Sequence, residues 1–223
     1  MRKIIDYLFP NHSCLGCECE IQNSQIRDVC DDCFAKFKRC DNPYVNTLDD
    51  IGELYFDRIY APFVYDEPVS NLILKLKYSC DGLVAKTFAP FMAECLSDCM
   101  YDCVVPVPLS KRRYRERGYN QALLLCEEVA IQIEKKFGKK IDVVDKVLIR
   151  TKQTTPQVDM DTKTRIQNQS DAFEIKNGER IKEKRVLLID DVLTSGATAN
   201  ECAKSLVGAG AIVSVLTVAR VVH

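Results

Sequence analysis

At 223 residues and 47% hydrophobic, the chain is long enough for one substantial core and a small accessory unit. A formal net charge of −1 excludes a global pull toward nucleic acid or an anionic membrane, so any such partner needs a local patch. Met1 to Pro10 carry an apolar stretch broken by Asp6, too short for an export signal or a membrane span, so no transmembrane segment and a cytoplasmic location are expected.

In that compartment twelve cysteines read as metal ligands and small core residues, not as disulfides. Half of them lie between Cys14 and Cys40. Cys14-x-x-Cys17 and Cys30-x-x-Cys33 have the spacing of two knuckles around one tetrahedral Zn²⁺. Four thiolates leave no open coordination position, so the expected role is structural, and in so small a module metal binding supplies most of the folding free energy. Cys19 and Cys40 stand as alternative ligands. From Asn42 to Asp57 the chain turns polar and acidic, with Pro43, Asp49, Asp50, Gly52 and Glu53, and the domain boundary is set there. Residues 1–57 then form a zinc-binding module with its linker, and residues 58–223 a second domain.

Beyond the boundary, helices and strands alternate. Ile59–Tyr65 reads as a strand; Val69, Leu72, Ile73 and Leu76 fall at helical spacing; Leu83–Leu96 continues helical. Cys103–Val107 is a short strand, Asn120–Phe137 a helix, Val143–Leu148 a strand, and Phe173–Ile175 an antiparallel arm. Such alternation predicts an α/β domain with a mainly parallel sheet flanked by helices. Cys80, Cys95, Cys99, Cys103, Cys126 and Cys202 are expected as small core residues, Cys95 and Cys99 on one helical face. After the Cys103–Val107 strand comes a basic loop holding Lys111, Arg112, Arg113, Arg115 and Arg117, stiffened by Pro106 and Pro108. Its place on the carboxyl rim of the sheet suits a polyanion, either a pyrophosphate or nucleic acid. The stretch Arg150 to Gln157, followed by Arg165 and Asn168, reads as a flap over the same rim.

The most informative run is Arg185 to Thr198. Val186 to Ile189 are apolar without alternation, as in a strand buried on both faces, and Asp190 and Asp191 are expected to end it. Thr194, Ser195, Gly196, Ala197 and Thr198 make a small-residue turn opening a helix, and so an anion site built from free N–H groups and hydroxyls. Two carboxylates would repel a phosphate, so they need another task on the same ligand: accepting from ribose hydroxyls, with Mg²⁺ nearby. No Lys follows the glycine, which excludes a Walker A loop. A receiver domain is excluded because too little chain follows Asp191. The run resembles the PRPP-binding motif of type I phosphoribosyltransferases.

With these stretches in order, almost the whole chain resembles the ComF family of competence-associated, phosphoribosyltransferase-like proteins. The matching pieces are Leu8-Phe9-Pro10, the two Cys pairs, Phe63–Tyr65 with Val69, Leu72-Ile73 and Leu76-Lys77-Tyr78, Val105 to Leu109, Arg115-x-Arg-Gly-Tyr-Asn-Gln121, Gln153-Thr154 with Gln157, Arg165-x-x-Asn168, and Arg185 to Thr198. The resemblance implies a type I phosphoribosyltransferase fold carrying a small zinc-ribbon-like module, and a role in taking up DNA during natural transformation with other competence proteins. Where relatives have a further Cys pair, Cys40 is followed by Asp-Asn-Pro, and Asp171-Ala-Phe173 replaces a Gly-Ala-Phe. Thr194 stands where purine-salvage members of the superfamily hold a carboxylate base, so no general base is assigned.

Two functions are carried forward. In one, a binding module holds PRPP or a related nucleotide-sugar phosphate on Asp190, Asp191 and the Thr194–Thr198 turn, while the basic run, with Tyr114 and Tyr119, grips single-stranded DNA. In the other, an active cytosolic enzyme of nucleotide metabolism transfers ribose 5-phosphate from Mg²⁺-bound PRPP, the pyrophosphate lying near Lys111 to Arg113.

Overall fold

A computed structural model describes residues 12–21, 28–42, 44–45, 53–79, 82–151 and 172–222. Leu8 to Pro10, half of the acidic linker, Cys80 and the flap residues Gln153, Thr154, Gln157, Arg165 and Asn168 lie outside them. The N-terminal module holds β1 (His12–Ser13) and β2 (Glu20–Ile21), paired antiparallel, and a single helical turn, α1 (Asp31–Phe34). The main domain follows with β3 (Tyr44–Val45), β4 (Ile59–Tyr60), β5 (Phe63–Val64), α2 (Val69–Tyr78), α3 (Gly82–Glu94), β6 (Cys103–Pro106), α4 (Lys111–Arg117) and α5 (Gln121–Phe137). It closes with β7 (Asp142–Val143), β8 (Leu148–Arg150), β9 (Phe173–Ile175), β10 (Arg185–Leu193), α6 (Ala197–Gly208) and β11 (Ile212–Arg220).

Among the described residues the central sheet has seven strands in the order β3-β4-β11-β10-β6-β7, with β5 also on β11. Every pairing is parallel except β3 on β4, as helical crossovers require. Val186, Leu187, Leu188 and Ile189 are all fully buried, and period-two alternation sends them to opposite faces. Leu187 and Ile189 pack under α2, α3 and α5; Val186 and Leu188 pack with Ala199, Cys202 and Leu206 of α6. The helical stripe Val69, Leu72, Ile73 and Leu76 is buried. This α/β sandwich is the fold class the alternation predicts.

Several elements differ from the sequence reading, each for a local reason. Ile59–Tyr65 is two short strands because Pro62 has no N–H to give to the ladder. Val143–Leu148 is likewise broken, at Lys146, whose φ of 62° turns the chain. The acids do not end their strand: β10 runs on to Leu193, paired with β11. The basic run is the helix α4 instead of a loop; Ser110 caps its start by accepting from the Arg113 N–H, and Gly118, at φ 79°, ends it. α3 ends at Glu94, so Cys95 and Cys99 both lie beyond it and share no helical face.

The N-terminal module is fastened to this sandwich. The Phe34 and Phe91 rings stack with centroids 5.8 Å apart, and Phe37 meets Phe63 edge-on at 5.3 Å. Cys14, Val29, Cys33 and Phe37 belong to the same buried cluster as α3 and α5. The Cys40 N–H donates to the Pro62 carbonyl, and β3 extends the main sheet.

Candidate functional site

A cavity of about 300 Å³ opens at the carboxyl ends of β6 and β10. Asp190, Asp191, Thr194, Gly196, Thr198, Arg113 and Arg117 all line it, brought together from two stretches far apart in sequence. Ser195 and Ala197 belong to the same turn but not to the lining, and Lys111, Arg112 and Arg115 lie exposed on the outside of α4. The structure therefore divides the basic run: Arg113 is exposed as well, but helical spacing puts it with Arg117 on the face that borders the cavity.

Strand alternation gives the two acids different surroundings. Asp191 is buried on the α2 and α5 side, where its Oδ2 accepts from Gln121 Nε2 at 3.1 Å and meets Lys77 Nζ at 3.3 Å. Asp190, half-buried, accepts the Asp191 N–H at 2.8 Å. Its burial and then the neighbouring Asp191 charge push its carboxyl up to about 7, so it holds a proton near neutrality. Gly196 takes a left-handed φ of 78° that lets the chain swing from β10 into α6. That turn leaves the first N–H groups of α6 at the cavity, where the helix dipole favours an anion. Lys77, Arg113, Arg117 and Arg150 add positive charge to the walls. The arrangement can hold an anionic group on the α6 terminus and offer carboxylate oxygens to hydroxyls or to a hard cation close by.

Lys77 and Gln121 stand in the sequence only as pieces of the resemblance and Arg150 only as the start of the flap stretch; none of the three is assigned to the site there, and the structure adds them to it. Gln121 is positioned by its neighbour: Asn120 caps α5 through the Ala122 N–H and donates its own Nδ2 to the Val107 carbonyl. Gln121 Oε1 in turn accepts from Arg117 at 2.8 Å. The closing line of the resemblance, Arg117 to Gln121, was the available signal for it. Tyr114 is exposed, whereas the half-buried Tyr119 donates its hydroxyl to the Leu76 carbonyl at 2.6 Å, which ties its ring to α2.

In the N-terminal module the Sγ atoms of Cys14, Cys17, Cys30 and Cys33 all lie within 4.8 Å of one another. Tetrahedral Zn–S bonds of about 2.3 Å put sulfurs roughly 3.8 Å apart, so the four could hold a metal such as zinc. The Gly16 and Cys30 N–H groups donate to Cys14 Sγ at 3.3 and 3.2 Å. Burial opposes ionisation of Cys14, but N–H groups from Cys30, Cys17 and Gly16 outweigh it and bring the thiol down to about 6. Cys19 is not one of the four, and Cys40 accepts from Arg220 Nε at 3.4 Å.

No family model matches the chain. It is 28% identical over 208 residues to competence protein F of Haemophilus influenzae, covering 90% of this chain and 86% of that one. Competence protein ComFC of Streptococcus pneumoniae is 28% identical over 202 residues, covering 89% and 84%. The DNA utilization protein YhgH of Escherichia coli K12 is 27% identical over 166 residues, covering 70% and 68%. Among solved structures, orotate phosphoribosyltransferase of Mycobacterium tuberculosis aligns with 15% identity and a TM-score of 0.36, over 82% of this chain and 77% of that one. Adenine phosphoribosyltransferase of Leishmania tarentolae aligns with 18% identity and a TM-score of 0.40, over 75% and 78%.

Proposed function

We propose, for a chain that is a homologue of the competence proteins F and ComFC, that the cavity binds PRPP or a related ribose 5-phosphate ligand with Mg²⁺ and that the protein acts in DNA uptake, handling incoming single-stranded DNA in the cytoplasm alongside other competence proteins. The observation that carries the ligand class is the joint lining of one cavity by an acid pair and a helix N-terminus. The 5-phosphate would rest on the Thr194–Thr198 turn, the ribose hydroxyls on Asp190 and Asp191, and a pyrophosphate toward Arg113 and Lys77. The donor set fits a hard cation: Asp190 and Asp191 supply the oxygens that would hold Mg²⁺, which neutralises phosphate charge when bound. The DNA role rests on the homologues' names and on the exposed cations of α4. We further propose that Cys14, Cys17, Cys30 and Cys33 hold one structural Zn²⁺.

Calorimetry with PRPP and ribose 5-phosphate, with and without Mg²⁺, tests the cavity. Asp190→Ala with Asp191→Ala is expected to weaken both ligands, and Arg113→Ala to weaken PRPP more than ribose 5-phosphate. Unchanged affinity in a well-folded double variant rejects the assignment. Removing Lys111, Arg112 and Arg115 is expected to flatten the salt dependence of single-strand binding by roughly 0.7 per charge.

A further inference from the structure

We infer that Tyr78 is a stacking platform for a base of single-stranded DNA at the mouth of the cavity, an inference that rests on the strand-handling reading above. Tyr78 ends α2 with 71% of its surface exposed, although a tyrosine ring packed into the core would gain far more from burial. Its position is set from both sides of the chain. Lys77, the residue before it, lines the cavity and pairs with Asp191. From α4, the Arg117 guanidinium lies 5.2 Å from the ring centroid. Arg117 is itself hydrogen-bonded to Gln121 at 2.8 Å, which positions the cation at the ring. The ring is steadied on one side and open to water over most of its surface.

That geometry suits a flat, electron-rich partner. A nucleobase has a π-face whatever its sequence, so stacking on Tyr78 would be tolerant of sequence, as handling of unspecified incoming DNA requires. The exposed side of α4 explains why the base belongs to a strand and not to a free nucleotide. Lys111, Arg112 and Arg115 lie outside the cavity, on the same helix as Arg117, and a mononucleotide seated in the cavity would leave them unused. A strand can place one base on Tyr78 and its flanking phosphates along those cations. Tyr119, with its hydroxyl tied to Leu76, cannot serve in this way.

The experiment compares a thymidine oligonucleotide with an abasic strand of equal length, by fluorescence anisotropy, on wild type, Tyr78→Ala and Tyr78→Phe. Because the side chain is exposed, both variants are expected to melt as wild type does. Tyr78→Ala should bind the base-bearing strand about ten-fold more weakly, within the range for loss of one stacked base, and Tyr78→Phe close to wild type. The abasic strand should bind wild type and Tyr78→Ala equally, and the salt slope should be the same for both, since no charge is removed. Equal binding of the thymidine strand by wild type and Tyr78→Ala overturns the platform, as does an equal loss on the abasic strand. A loss confined to AMP, with strand binding intact, overturns the assignment to DNA. If wild type binds neither strand, the strand-handling reading itself fails, an outcome distinct from both.

Discussion

Asp190 and Asp191 are adjacent in sequence but face opposite sides of β10, and that separation decides what each can do. Asp191 has Lys77 and Gln121; Asp190 has burial and a like charge, and rests near pH 7. A carboxyl raised in the folded state favours folding when protonated. Its contribution is complete below the unfolded value near 4 and is lost as pH rises toward 7. Asp190→Asn should therefore stabilise the ligand-free protein at pH 8, by about 2 kcal/mol or about 4–8 °C. Melting curves across the pH range should show this advantage shrinking with falling pH and vanishing near pH 4. The same titration predicts tighter Mg²⁺-dependent PRPP binding as pH rises through 7, because an ionised Asp190 is the better oxygen donor. A pH-independent affinity would count against it. Gly16 is the other position where a single atom matters. A Cβ there would sit 2.8 Å from Cys33 Sγ, so Gly16→Ala must push a thiol out of the cluster. Zinc affinity, measured by competition with a chelator, is expected to fall at least ten-fold, comparable to loss of an outer-shell partner.

α4 is a seven-residue helix, too short to persist without its caps. Ser110→Ala removes the N-cap bond, and Gly118→Ala strains a left-handed position; each should cost about 1 kcal/mol. No cation is touched, yet Arg113 and Arg117 reach the cavity only while the helix is wound. The double variant is expected to lose PRPP affinity and to exchange the backbone amide hydrogens of Tyr114 and of position 118 faster; unchanged affinity would mean that the cations work without the helix. This element also shows what a sequence displays and what it conceals. The buried run Val186–Ile189 and the stripe Leu72, Ile73 and Leu76 announce themselves by periodicity, because burial acts on consecutive residues of one element. The helical nature of α4 was readable from Ser110 and Gly118 but was outweighed by the charge of the run. Lys77, Gln121 and Arg150 carry no such mark. Each is an ordinary polar residue whose partner lies on another element, 114 positions away for Lys77 and 70 for Gln121, and only the packed sheet brings them together.

At the scale of the whole molecule, the cysteine module and the α/β sandwich share a core through Phe34, Phe37, Phe63 and Phe91. The composition break near Asp57 marks a change in the chain without a gap in the packing. Stripping the metal is therefore expected to lower the temperature of one cooperative transition, not to split off a separate one, and Phe37→Ala should lower it by the several degrees that follow from about 3–4 kcal/mol. Two resolved calorimetric peaks would show independent units. A further consequence follows from the β8–β9 hairpin, which pairs Leu148 with Ile175 and Arg150 with Phe173. The Thr151 N–H donates to the Ala172 carbonyl at 3.0 Å, so the chain leaves and returns at one point beside Arg150 and the cavity. The ladder and that closing bond hold the backbone on both sides of Arg150, so the cation reaches the cavity wall from paired strand and not from a free loop end.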